Sequence, residues 1–207
     1  MEVISWRQAT RIILTVLVLA SIAFRQRPAV ASDSAKLLLE SMEAAKPDWL
    51  PDLDKCPVDV MPARETKTNY FKERCAAGLE QCLSNCRAGD ANDCYASALV
   101  LQEVRTSRIS EALFLKACAL GIVSGCTDRA ASMDSGRGGS CAIQTYQRAC
   151  DYDDPWACTM LGFHLVRGIG IPKDHERARQ VLSKSCRFGE SDEACTYARG
   201  LMREIGD

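Results

Sequence analysis

From residue 70 onward, small and apolar positions recur in a phase set by paired cysteines: Cys86 and Cys94, Cys118 and Cys126, Cys150 and Cys158, Cys186 and Cys195. Successive pairs begin 32, 32 and 36 residues apart, the period of stacked helical hairpins. Eight positions before each first cysteine stand Gly78, Ser110, Ala142 and Ala178; four positions before it stand Cys82, Phe114, Tyr146 and Leu182. Spacings of i, i+4 and i+8 place both columns on one helical face with the cysteine. Three positions after it come Gly89, Gly121, Asp153 and Gly189, where a left-handed residue would stop a helix. Each unit therefore predicts a helix, a sharp turn and a second helix, over 70–87 and 92–104, 108–120 and 124–134, 139–151 and 155–167, 174–187 and 191–205. The expected fold is all-α, an α-solenoid of about four stacked antiparallel helix hairpins. Tyr95, Trp156, Phe163 and Tyr197 fall on second helices, where burial between hairpins is expected.

The first 69 residues lack this phase. Ser34 to Ala45 predicts an amphipathic helix with Leu37, Leu38, Leu39 and Met42 at or near its apolar face, after which Pro47, Pro51, Pro57 and Pro62 break the chain into loops. Segment 32–69 is expected to cap the first repeat, and the repeat domain to span 70–207. Ahead of it, Arg7 and Arg11 precede an uncharged apolar run from Ile12 to Phe24, followed by Ala29-Val30-Ala31. That order is the one of a secretory signal peptide over 1–31 with cleavage after Ala31; the alternative is a retained membrane anchor. The 13-residue run is short against the roughly 20 residues of a spanning helix.

Export changes the meaning of the twelve cysteines. In an oxidising compartment so many cysteines form disulfides, and a periplasmic or secreted location follows. The turn brings the end of each first helix beside the start of the second, so the pairings Cys86–Cys94, Cys118–Cys126, Cys150–Cys158 and Cys186–Cys195 are expected, each contributing about 2.5 kcal/mol. Cys56, Cys75, Cys82 and Cys141 allow three connectivities. Along one continuous helix Cys75 and Cys82 would stand about 10 Å apart, too far to bridge each other.

Twenty-six basic residues nearly balance 27 acidic ones, which gives no footprint for nucleic acid; membrane contact is expected only if the leader is retained. No C-x-x-C occurs, and His164 and His175, the two histidines, are expected on polar helix surface or beside a turn, so no metal and no cofactor is assigned. Cys82 and Cys86, at i and i+4, are placed in the core and in a disulfide rather than on a metal. Gly136-Arg137-Gly138-Gly139 lacks the rest of a phosphate-binding loop and reads as a connector. Lys173, Glu176 and Arg179 are expected to be solvated.

One stretch carries a specific likeness. Ala157-Cys158-Thr159-Met160-Leu161-Gly162, then Gly168-Ile169-Gly170-Ile171, Asp174, Ala178 and Cys186, resembles the Sel-one-like repeat family, in particular its cysteine-rich Helicobacter group. The second helices of the first two units, Cys94-Tyr95-Ala96-Ser97-Ala98 and Cys126-Thr127-Asp128-Arg129-Ala130, lack the Leu-Gly pair. The resemblance implies a repeat protein that binds a protein or peptide partner on the solenoid surface. It also brings two alternatives, a weak β-lactamase-like or penicillin-binding hydrolase and a mitochondrial intermembrane-space assembly factor. No serine has a lysine three positions on, so the hydrolase reading has no catalytic residues to rest on. The function expected is that of an exported, disulfide-rich binding protein with a concave binding face.

Overall fold

The computed structural model describes residues 33–65, 72–134 and 139–206; the leader expected over 1–31 and most of the 136–139 connector lie outside them. Among the described residues every regular element is helical. Helix α1 covers 33–45, followed by α2 (Pro57–Val60), α3 (Lys72–Ala77), α4 (Leu79–Arg87), α5 (Ala91–Val104), α6 (Arg108–Ala119), α7 (Val123–Asp134), α8 (Ser140–Asp151), α9 (Pro155–Arg167), α10 (His175–Lys184) and α11 (Glu193–Glu204). Consecutive helices pack as hairpins α4/α5, α6/α7, α8/α9 and α10/α11, and the hairpins stack in chain order into an α-solenoid.

The same turn closes each hairpin. Gly89, Gly121, Asp153 and Gly189 all adopt positive φ, between 58° and 105°. In the first three units the next amide reaches back five residues, Asp90 to Asn85, Ile122 to Ala117 and Asp154 to Ala149, each at 2.9–3.1 Å. This satisfies a carbonyl the helix end leaves open and reverses the chain at once. The cysteines flanking the turn come to Cα separations of 4.6 Å (Cys86–Cys94), 4.6 Å (Cys118–Cys126), 4.7 Å (Cys150–Cys158) and 4.4 Å (Cys186–Cys195), and all four pairs are bridged. Aspartates cap three of the second helices: Asp90, Asp154 and Asp192 accept from the amides of Asp93, Ala157 and Ala194.

Those caps also join neighbouring units. Asp154, the cap of α9, takes the Thr127 hydroxyl at 3.0 Å and the Ser124 hydroxyl at 2.7 Å from α7. One hairpin later Thr159 donates to the Ala194 carbonyl at 3.1 Å. Each of these threonines directly follows the second cysteine of its unit, so one sequence position serves both the hairpin and its junction. Apolar packing supplies the rest, in one cluster around Leu39, Leu101, Leu113 and Phe114 and a second around Tyr146, Leu161, Leu165 and Leu182.

Several expectations need correction. The helix expected over 70–87 breaks at Gly78, whose φ of −145° and ψ of 55° are not helical. α3 therefore folds against α4, and Cys75 and Cys82 approach to a Cα separation of 5.7 Å and are bridged. The separation of about 10 Å expected along one continuous helix is lost because the chain folds back at Gly78. α10 ends at Lys184, so Cys186 lies in the following turn. Arg179 is exposed but engaged: its guanidinium donates to the carbonyls of Ile205 at 3.0 Å and Gly206 at 2.7 Å, beyond the end of α11. Trp156 and Tyr197 are 39% and 63% exposed, with ring centroids 5.5 Å apart, whereas Tyr95 is buried as expected.

Candidate functional site

Helix α1 packs on the first apolar cluster. Ala35, Leu39 and Met42, spaced along one face, are buried in the cluster that holds Leu83, Leu101 and Phe114, while Leu37 points to solvent. Beyond α1 the chain does something else. Lys46 takes positive φ and turns it, Pro47 and Pro51 deny it a helix, and the segment crosses units two and three before ending its described part at residue 65. The short helix α2 packs against α6, α7 and α8. Met61, just after it, is buried in the second cluster, with Pro57 also out of solvent.

Side chains of the repeats grip this segment by its main chain. On α6, Lys116 Nζ donates to the Trp49 carbonyl at 3.3 Å and lies 5.0 Å from the Trp49 ring centre; burial pushes the Lys116 pKa down. On α7, Arg129 donates to the Leu53 carbonyl at 2.9 Å. On α8, Arg148 reaches the Val58 carbonyl at 3.3 Å, and at its end the Tyr152 hydroxyl faces the Pro62 and Ala63 carbonyls at 3.3 and 3.0 Å. The order along the segment follows the order of the helices, so the chain lies lengthwise across the hairpins. Cys56 is joined to Cys141, at the start of α8, by a disulfide that spans 85 residues.

Arg129 is held for this task. It is buried, pairs with Glu111 at 3.2 Å, and Glu111 in turn accepts the Ser132 hydroxyl at 2.7 Å. A guanidinium fixed in this way presents its remaining donors with little entropy left to lose. Where the segment crosses α6 a cleft of about 430 Å³ stays open between Lys46, Pro47, Leu53 and the side chains of Arg108, Ile109 and Ala112. Carbonyl recognition with few demands on side chains suits a polypeptide of varied sequence, and the burial of Met61 in the second cluster adds an apolar anchor.

The residues singled out for chemistry sit elsewhere. His164 is fully buried rather than on a polar surface, because α7, α8 and α9 close around it. Its Nε2 lies 2.7 Å from Asp134 Oδ2 and its Nδ1 2.9 Å from the Ile169 carbonyl, which pins the loop leaving α9. His175 is exposed at the start of α10. The Cys75 and Cys82 sulfurs and an Asp93 oxygen lie within 4.8 Å of one another, but the sulfurs are bonded together and Asp93 is taken by Arg74 and Asn85. Cys86 is bridged to Cys94, which leaves no thiolate for a metal on that helix face. The six disulfides account for every cysteine and suit an oxidising environment, and no helix among the described residues is long and apolar enough to cross a membrane.

Sequence reasoning missed the gripping residues. Lys116, Arg129 and Arg148 are ordinary helix-surface cations by pattern, and a partner that offers only carbonyls leaves no mark in the sequence.

No family model and no curated protein matches the sequence. Among solved structures the chain is similar to Helicobacter pylori cysteine-rich protein B, at 24% identity and a TM-score of 0.44, over 62% of this chain and 97% of that one.

Proposed function

We propose that this chain is an exported repeat protein that binds a polypeptide segment laid lengthwise across the faces of α6, α7 and α8, and that residues 46–65, with their turns and the short helix α2, are the occupant it carries in cis. The observation that carries this reading is the run of side-chain donors, Lys116, Arg129, Arg148 and Tyr152, that meets the main-chain carbonyls of that segment in order. A hairpin stack held together by its own core and bridges has no need of such a run, whereas a peptide-binding groove does. The resemblance to the Sel-one-like repeats supports the same class of function. Twelve cysteines in bridges, together with the leader-like start, support a periplasmic or secreted setting.

The test frees the groove without removing the segment. In the full chain, Cys56→Ser and Cys141→Ser remove the link and Met61→Asp disables the apolar anchor. A fluorescent peptide of residues 46–65, with serine for Cys56, is then titrated by anisotropy. Micromolar binding to this variant, absent from the intact chain and weakened by a further Arg148→Met, is the expected result. Failure of the freed groove to bind the peptide, with folding intact by circular dichroism, would remove this reading.

A further inference from the structure

Four of the six disulfides have both cysteines buried, a fifth has one, and the sixth has neither. Cys75, Cys82, Cys86, Cys94, Cys118, Cys126, Cys150 and Cys158 are all 0–2% exposed, and Cys195 is fully buried beside a partly exposed Cys186. Cys56–Cys141 alone has both cysteines at intermediate exposure. It is also the bridge that joins distant parts of the chain, 85 residues apart, whereas the others span 7–9 residues. Position and access therefore coincide: the bond open to an external thiol from both cysteines is the one that ties the segment into its groove.

Local chemistry favours opening in one direction. Cys141 occupies the first turn of the 12-residue helix α8, and the residue capping that helix, Gly139, supplies no side-chain acceptor to the open amides. A helix N-terminus stabilises a thiolate, which makes Cys141 the better leaving group and Cys56 the sulfur to be attacked. Cys56 lies on the segment itself, one residue before α2, with the Thr145 hydroxyl 3.8 Å from its sulfur.

We infer that Cys56–Cys141 is a thiol–disulfide exchange site for a dithiol oxidoreductase, and that its reduction unlocks the peptide groove; the second half of this inference rests on the proposed function. One thiolate of the dithiol attacks the Cys56 sulfur, the Cys56–Cys141 bond breaks, and Cys141 leaves as a thiolate that takes up a proton. The second thiol of the donor then displaces Cys56 from the mixed disulfide. The protein gains two electrons and two protons as two thiols, and the donor leaves as its own disulfide. With the link open, segment 46–65 is held by its hydrogen bonds and by the apolar contacts of Trp49, Leu50, Pro57, Val60 and Met61, without a covalent tie to α8, so an outside peptide can compete for its place. Reoxidation closes the groove again.

Limiting dithiothreitol is the probe, with iodoacetamide trapping and peptide mass mapping of the wild-type chain. Alkylation at Cys56 and Cys141 at least tenfold faster than at any other pair is expected, together with faster amide exchange across 46–65 and binding of the labelled 46–65 peptide to the partly reduced protein. Earlier opening of Cys186–Cys195 or another pair would overturn the exchange site. Peptide binding by the freed-groove variant would then still stand. The converse result, selective opening and loosening of 46–65 with no peptide bound by either form, would uphold the exchange site and sink the binding function.

Discussion

Gly162 on α9 and Leu182 on α10 occupy the same space to within a methyl group: a Cβ added to Gly162 would stand 2.3 Å from one Leu182 terminal carbon and 2.4 Å from its branch carbon. Both residues are buried, and Leu182 is fully enclosed. The glycine of the Leu161-Gly162 pair is there for this approach rather than for backbone freedom.

Gly162→Ala is therefore expected to lower stability by about 1–3 kcal/mol, the cost of overpacking a filled core. Urea unfolding of the two proteins measures it. Adding Leu182→Val to Gly162→Ala should recover part of the loss, because contacting residues couple.

His164 and Asp134 make a second test of how the units are joined. The Ile169 carbonyl can only accept, so the proton on His164 Nδ1 is fixed, and Nε2 meets Asp134 across a contact closed to water, with the Tyr146 hydroxyl donating to the same oxygen at 3.4 Å. His164→Leu keeps most of the volume and removes one partner, at 2.7 Å, of a buried carboxylate. A loss of about 3 kcal/mol in denaturant unfolding is expected, together with faster amide exchange in the loop after α9, which the imidazole holds.

Asp128 predicts a pH dependence. Burial pushes its pKa up from 3.8 to about 7, with Asp154 and Glu111 adding to the rise and the hydrogen bond from Tyr95 opposing it. Between those values the folded chain keeps a proton that the unfolded chain has released. Stability from this group is then fullest below about pH 4, falls as pH rises to about 7 at about 1.4 kcal/mol per unit, and is flat above. Burial raises Asp154 as well, with the same sign. Asp128→Asn should remove part of the slope and leave the part due to Asp154; unfolding free energies from pH 4 to 8 for both chains decide it.

The hairpins were legible because a disulfide imposes a fixed offset and a helix a fixed period, so Cys86, Gly89 and Cys94 state a turn outright. The break at Gly78 was hidden by its own column, where Ser110, Ala142 and Ala178 are small helical residues and a glycine fits the pattern equally well. Buried His164 was obscured by its type, although Leu161 and Leu165 at −3 and +1 mark the apolar side of α9. The path of 46–65 left no periodic trace, since an irregular chain held by its carbonyls constrains the residues that hold it far more than its own. Trp156 and Tyr197 show the opposite failure: aromatic character suggested burial, and their place on the solenoid left them exposed to each other and to solvent.

The central claim is that the N-terminal segment lies along α6 to α8 and is pinned in the third unit. Non-reducing proteolysis with mass spectrometry of protein purified from an oxidising compartment tests it most directly. The expected map contains a crosslinked pair holding Cys56 and Cys141 and another holding Cys75 and Cys82, beside the four hairpin bridges. Cys56 joined to Cys75 or Cys82 would tie the segment to the first unit instead, and the groove would lose its occupant.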